Sequence, residues 1–399
     1  LNNILDFNEK ERWVVVQPGV VLDELNIFLT DYNLLFAPET STSNRCCIGG
    51  MIGNNSCGSH SLVYGSTRDH LLEVKALLAD GSVTMFKSLT INEIAEKCNG
   101  SGLESEIYSN LRQILSDEKN IKEIEENYPD SRLRRRNSGY ALDELLNDKT
   151  FNLCNLIAGS EGTLALVCEA KLKLEPLPPS EKALICAHCD TLESAFHANL
   201  IALKNSPFAV EMMDKRILDL SKENISQNRN RFFVNGDPAA ILIIEMVSDN
   251  RYDLELKCEV LENELIESGL VYHNSRVSGA DITKVWELRK AGLGLLTSMK
   301  GDAKPVSVIE DTAVVPELLP EYLAEFGQML NKYGLSSVYH AHIGTGELHL
   351  RPILNLKSSE DVEIFRKVAY ETALLVKKYR GSLSGEHGEG RLRGEFLPV

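Results

Sequence analysis

A chain of 399 residues exceeds a single small module and has the length for about two or three domains around a sizeable core. Its 58 acidic residues outnumber 42 basic ones, and the formal net charge of −16 excludes general nucleic-acid binding while leaving room for a local basic pocket. The longest apolar runs, such as Ala240 to Met246, fall well short of the roughly 20 residues that a membrane-crossing helix needs. The opening LNNILDFNEK has neither the basic start nor the apolar core of a secretory signal. Nine cysteines, an odd number scattered along the chain, do not read as a disulfide framework, so a reducing, cytoplasmic setting is expected. Both ends read as cut: the first residues lead straight into a strand, and GEFLPV stops without a helix cap or polar tail.

Trp13 to Gln17 is a short β-rich run closed by the turn signal Pro18-Gly19. Leu22, Leu25, Phe28 and Leu29 recur at helical spacing and predict an amphipathic helix over 22–33. Between Thr40 and Gly65 periodicity gives way to small and polar residues. Regularity returns with LLEVKALLADGSV, whose Asp80-Gly81 fits the tight turn of a β-hairpin. Residues 100–150 are charged and read as helix or loop, and 164–174 alternate as a strand does. Pro176, Pro178 and Pro179 then mark a domain boundary. Beyond it ALICAHC and AAILIIEMV read as strands, and LESAFHANLIAL and LELKCEVLENELIESG as helices. Two more helices are predicted over 315–334 and 359–379. This order predicts an α+β domain with helices on one face of an antiparallel sheet.

Three segments could carry chemistry. IGGMIGNNSCGSHSLVYGSTRD holds glycines at 49, 50, 53, 58 and 65, which let backbone approach a ligand closely, yet it is neither a dinucleotide fingerprint nor a P-loop. On glycine count alone it is equally a plain structural loop. AGSEGTL, just before a strand, offers backbone and hydroxyl donors from Gly159, Ser160, Gly162 and Thr163. The third is HIGTGELH, residues 342–349, followed by GEHGEG, residues 385–390. His342 and His349 flank a glycine turn, and with Glu386 they form a two-His, one-carboxylate set suited to a catalytic Zn²⁺ or Mn²⁺ with an open position. Against this stands the plainer reading that each histidine satisfies a core hydrogen bond. His340, on the same strand face as His342, is a rival ligand. Cys186 and Cys189 form C-x-x-C, but strand alternation sends them to opposite faces, which argues against a zinc or redox role. Arg132 to Arg136, RLRRR, reads as a solvated or loop face rather than an interaction site. Trp286 and Arg289 read either as helix packing plus a surface charge or, for Arg289, as a carboxylate clamp.

These residues together resemble the FAD-linked oxidase family of the vanillyl-alcohol-oxidase type, in the branch of D-lactate dehydrogenases, D-2-hydroxyglutarate dehydrogenases and the flavin subunit of glycolate oxidase. The motifs run in order over essentially the whole chain: VQPGVVLDELN, APETSTSNRCCIGGMIGNNSCGS, YGSTRDH, SGYALDEL, GSEGTLALV, VWELRKA, EDTAVVP, HIGTGELH and SGEHGEGRLRGEFLP. The resemblance implies part of a two-subdomain FAD-binding domain over 1–176. An antiparallel-sheet α+β substrate, or cap, domain would occupy 177–380, and 381–399 would return to the active site. It implies that Pro38, Thr40 and Ser41 lie near the isoalloxazine or ribityl chain. Ile48, Gly49, Gly50, Asn54 and Gly58 would contribute mainly backbone contacts, and Glu161, Gly162 and Leu164 would lie on the adenine side. His342, His349 and Glu386 match the family's metal ligands, His387 its catalytic base and Arg289 a substrate-carboxylate contact.

The resemblance also has departures. The usual turn reads H-x-G-D-G-N-x-H, whereas Thr345 and Glu347 stand here for the Asp and Asn. That variant resembles the longer members fused to an iron–sulfur segment, although no C-x-x-C-x-x-C run exists in this chain. The family's first flavin subdomain and its closing strand are expected beyond the two ends. The expected function is FAD-dependent oxidation of a small D-2-hydroxy acid of the lactate, glycolate or 2-hydroxyglutarate class. A divalent metal would polarise the substrate, and electrons would leave to a quinone, a flavoprotein or an iron–sulfur segment. The expected location is cytoplasmic, with peripheral contact to the inner face of the membrane as an option. Two alternatives stay open: a metal-dependent hydrolase using His342, His349 and Glu386, and a folded scaffold whose cofactor site is incomplete.

Overall fold

The computed structural model describes residues 1–146 and 151–399. The last four residues of the charged stretch 100–150 lie outside the described residues. The first half is built on a six-stranded antiparallel sheet in the spatial order Ile4–Asn8, Trp13–Val16, Leu166–Lys173, Leu71–Leu77, Val83–Leu89, Phe151–Asn152. Asp80-Gly81 turns the chain between Leu71–Leu77 and Val83–Leu89, as the hairpin signal predicts. The helix Leu22–Thr30 buries Leu22, Leu25 and Leu29 against this sheet, the face that its spacing predicts.

The glycine-rich stretch is not all loop. Ile48–Asn54 is a helix, held by burial of Ile48, Met51 and Ile52 in the core of the first half. Its glycines lower intrinsic helix propensity, and packing of the three apolar side chains overrides it. The helix ends at Asn55 in the left-handed region. The buried Arg68 of YGSTRDH then reaches across, donating to the carbonyl oxygens of Asn155 (3.1 Å) and Ala158 (2.8 Å). Both glycine-rich segments are thereby fixed to one another.

The second half is an eight-stranded antiparallel sheet. Its spatial order is His273–Ser278, Glu181–Cys189, Ala240–Ser248, Ala209–Asp214, Ser337–His342, Glu347–Leu354, Lys304–Pro305, with Thr312–Ala313 also pairing on Glu347–Leu354. Helices cover both faces, which corrects the one-face expectation. Leu192–Lys204, Arg251–Glu267, Leu319–Lys332 and Ser359–Lys378 pack on one side, and Lys215–Glu223 and Asp281–Thr297 on the other. The strands ALICAHC and AILIIEMV are continuous apolar runs, and such runs form when both faces of a strand are buried. Cys186 and Cys189 fall on opposite faces, each inside a different apolar core.

Candidate active site

The site lies on the face covered by the two helices, where the second sheet meets the first half. Its scaffold is the hairpin Ser337–His342 and Glu347–Leu354, whose register sets His340 opposite His349 and His342 opposite Glu347. Residues directly opposite, and residues two apart on a strand, share a face. His340, His342, Glu347 and His349 therefore project together, while Ala341, Leu348 and Leu350 enter the apolar core behind. Gly346 closes the turn at φ +77, and a Cβ there would sit 1.8 Å from the carbonyl oxygen of Val314. Glycine is required at this position on both counts.

The fourth corner comes from the C-terminal segment. Asp311, fully buried, accepts from Ser384 Oγ (3.0 Å) and from the backbone N–H of Gly385 (2.9 Å) and His387 (2.6 Å), which shapes the loop SGEHGEG. Asn54 and Asn137 each donate a side-chain N–H to the Glu386 carbonyl, both at 2.9 Å. Gly388, at φ +73, lies so close to Glu161 that a Cβ would collide with its carboxylate. The loop is thus fastened to both halves.

One ligand atom from each of His342, Glu347, His349 and Glu386 can be chosen so that all lie within 4.8 Å of one another. The three predicted ligands come together, and Glu347 joins them. His340 lines the same cavity but stands outside that cluster. His342 Nδ1 is held by Glu211 at 2.7 Å, so its Nε2 faces the cluster, 3.8 Å from Glu386. Burial pushes His349 and His340 well below the usual histidine range, which keeps both imidazoles neutral, as metal ligation requires. Burial and the neighbouring Glu386 charge push Glu347 up. Burial opposes ionisation of Glu386 too, but Arg135 and the surrounding histidines hold it well below the carboxylate range.

His387 sits beside the cluster, half-exposed, with Nδ1 at 3.1 Å from Asp311 and Nε2 at 3.1 Å from Glu386. Burial lowers its pKa, but the hydrogen bond to Glu386 and the Asp311 charge outweigh it and raise the group to about 9. Arg289 is buried, not a surface charge: it donates to Glu211 (2.5 Å), while its Nε has no partner among the described residues. Both guanidinium and imidazoles face a cavity of about 760 Å³.

The solvated reading of RLRRR fails at its centre. Arg135 is 1% exposed and donates to Glu386 (2.6 Å) and to Ser61 Oγ (2.8 Å). Arg136 pairs with Asp143 and Glu144. Arg135, Glu211, Asp311 and the bidentate pair Glu310–Arg351 are site residues that sequence reasoning missed. A buried Leu133 two residues before Arg135 was the available signal, since an extended segment returns to one face at that spacing.

Of the residues matched to a flavin site, Thr40, Ser41, Gly50, Asn54 and Gly58 line the same cavity as the histidines. Gly49, Glu161 and Gly162 line an adjoining groove of about 570 Å³, which shares Gly50, Asn54 and His387 with that cavity. Pro38 and Ile48 are buried, Leu164 is exposed, and none of the three lines either.

Residues 178–399 match the C-terminal domain of FAD linked oxidases, and residues 1–87 match an FAD binding domain. The D-2-hydroxyglutarate dehydrogenase of Pseudomonas putida is 35% identical, over 100% of this chain and 40% of that protein. The D-lactate dehydrogenase of Archaeoglobus fulgidus is 24% identical, over 98% of this chain and 71% of its own length. The chain therefore spans about 40% of the length of the D-2-hydroxyglutarate dehydrogenases it matches. Among solved structures, p-cresol methylhydroxylase superposes with a TM-score of 0.58 at 12% identity, covering 98% of this chain and 71% of that one. Alkyldihydroxyacetonephosphate synthase gives 0.56 at 14%, covering 96% and 62%. The chain belongs to the FAD-linked oxidase family, with an FAD-binding domain and a C-terminal domain arranged as in the vanillyl-alcohol-oxidase fold.

Proposed function

We propose that this chain carries the reaction centre for FAD-dependent oxidation of a D-2-hydroxy acid to the 2-oxo acid, assisted by a divalent cation. The observation that carries the reading is the placement of His342, His349, Glu386 and His387 on one cavity with the small residues of the glycine-rich segment. The donor set fits a cation: both Glu347 oxygens and His349 Nδ1 are buried and lack hydrogen-bond partners among the described residues. The cavity wall leaves room for a cofactor at Gly50, where a Cβ would meet nothing within 4 Å. When bound, FAD supplies a hydride acceptor and the cation supplies polarisation of the substrate's hydroxyl and carboxylate oxygens.

The protein's own residues then have distinct tasks. Glu211 orients His342, and Arg135 holds Glu386 ionised and aimed at the cluster. Arg289 offers its unpaired Nε–H to a substrate carboxylate. The Asp311 carboxylate, 3.1 Å from His387 Nδ1, favours the ring proton on that nitrogen, which leaves Nε2 to take the substrate hydroxyl proton. In the chain alone Glu386 engages that nitrogen, so the base role requires Glu386 to be drawn away by a positive charge. The electron acceptor in this reading is a quinone, a flavoprotein or an iron–sulfur segment. Reconstitution with FAD and Mn²⁺ or Zn²⁺, then desalting, tests the site: one flavin and one metal per chain are expected. Metal without flavin would instead support a hydrolase using the same ligands.

A further inference from the structure

Glu347 has no role in the three-residue ligand set, and its surroundings demand one. It follows Gly346 at the start of its strand, opposite His342 and two residues before His349, so register alone fixes its carboxylate against both imidazoles. It is 0% exposed, and neither oxygen accepts a hydrogen bond among the described residues. The nearest cationic and imidazole groups are His349 Nδ1 at 3.2 Å, Arg135 Nη1 at 3.8 Å and His342 Nε2 at 4.0 Å. Arg135 does not satisfy it, because its donors serve Glu386, Ser61 and the Gly58 carbonyl. A buried carboxylate without a donor is costly, and buried charges are normally paired or coordinated to a metal. The 4.8 Å spread of the four groups accommodates a cation about 2.1 Å from each ligand, which needs roughly 4.2 Å between opposite ligands.

We propose that Glu347 is a fourth metal ligand, converting a two-histidine, one-carboxylate site into a two-histidine, two-carboxylate site. The inference rests on the metal site proposed above. A second carboxylate makes a divalent site formally neutral and shifts preference from Zn²⁺ toward an oxygen-favouring cation such as Mn²⁺. It also gives a reason for the exchange of the family's Asn for Glu in HIGTGELH.

The test is a titration of the chelator-treated chain with Mn²⁺, free Mn²⁺ being read by electron paramagnetic resonance, and with Zn²⁺ by competition against a chromophoric chelator. Wild type is expected to bind one Mn²⁺. Glu347→Gln is expected to bind it on the order of 100-fold more weakly while losing only about 10-fold in Zn²⁺ affinity. Its metal-free melting temperature should be no lower than that of wild type, since the substitution replaces a buried carboxyl group whose oxygens accept no hydrogen bond among the described residues, and this separates lost ligation from lost folding. Equal Mn²⁺ affinity in Glu347→Gln and wild type, with binding lost in His342→Ala, would overturn the fourth ligand and leave the three-residue site standing. Failure of wild type to bind either ion would overturn the metal site itself, and this proposal with it.

Discussion

Two histidine–carboxylate clusters share the walls of one cavity and differ in how far their donors are satisfied. His60 is saturated: Nδ1 meets Glu39 at 2.8 Å and Nε2 meets Glu245 at 3.0 Å, with the Phe208 and Trp286 rings against it. In the hairpin cluster His342 has one nitrogen held by Glu211, and its other nitrogen is no nearer than 3.8 Å to a carboxylate. The first arrangement joins the two halves of the chain, since Glu39 and His60 belong to one and Glu245 to the other. The second leaves that nitrogen without a close carboxylate, as the proposed metal site requires. Titratable residues in a cleft acquire functional meaning from the partners they lack as much as from those they have.

The largest effect expected from breaking the contrast is at the hairpin. His342→Ala and Glu386→Ala should lower metal affinity by about 100-fold or more, and undiminished metal content in either would remove the ligand assignment. Glu211→Gln should lower it by about 10-fold without touching the metal, by releasing the ring of His342. At the saturated cluster, His60→Ala should cost about 2 kcal/mol in unfolding free energy and leave metal affinity unchanged. This is below the usual cost of breaking a buried pair because Glu39 is 39% exposed and solvent screens its half. Equal metal loss in His60→Ala would erase the distinction between the clusters.

That tie also has a pH signature. Burial lowers the pKa of His60, but Glu39 and Glu245 outweigh it and raise the group to about 10. Burial raises Glu39, and His60, with a smaller contribution from Lys290, brings it down to about 2. Lys182, 3.8 Å from Glu245, is the other charge facing the pair. A histidine raised in the folded state stabilises fully below its unfolded pKa of about 6.5, and the contribution is lost as pH rises toward 10. The Glu39 contribution is complete above about 4.5 and is lost as pH falls toward 2. The stability gap between wild type and His60→Ala should therefore be widest near pH 5 to 6 and narrow by pH 10, as denaturant melts at each pH would reveal. Arg289→Ala should raise the substrate KM about 10-fold, and an unchanged KM would move the carboxylate contact elsewhere. The smallest effect belongs to Cys189→Ala, expected to cost about 1 kcal/mol in stability with no change in metal content, as a buried sulfur in an apolar core requires.

Local pattern made one part of the site legible and left another dark. His342 and His349 could be placed on one face because strand alternation and a glycine turn determine the direction of a side chain within a hairpin. Glu386 followed from its glycine-rich loop. Arg135, Glu211 and Asp311 are positioned by segments far apart in the chain, and composition pointed the wrong way for a basic run. In the fold, strands and helices of the second half were readable from periodicity. The helices on the second face were not assigned there, although the unbroken apolar runs of Glu181–Cys189 and Ala240–Ser248 already implied cover on both sides. The helix Ile48–Asn54 was hidden by glycines whose propensity argues against it, and only its packing against the sheet explains it.

The most direct test of the account is anaerobic reduction of the reconstituted flavin by D-2-hydroxyglutarate, D-lactate and glycolate, compared between wild type and His387→Ala. Wild type should bleach with at least one of the three, and His387→Ala should retain both flavin and metal while failing to bleach. Bleaching of His387→Ala at the wild-type rate, or a reconstituted wild type that none of the acids reduces, would contradict the account.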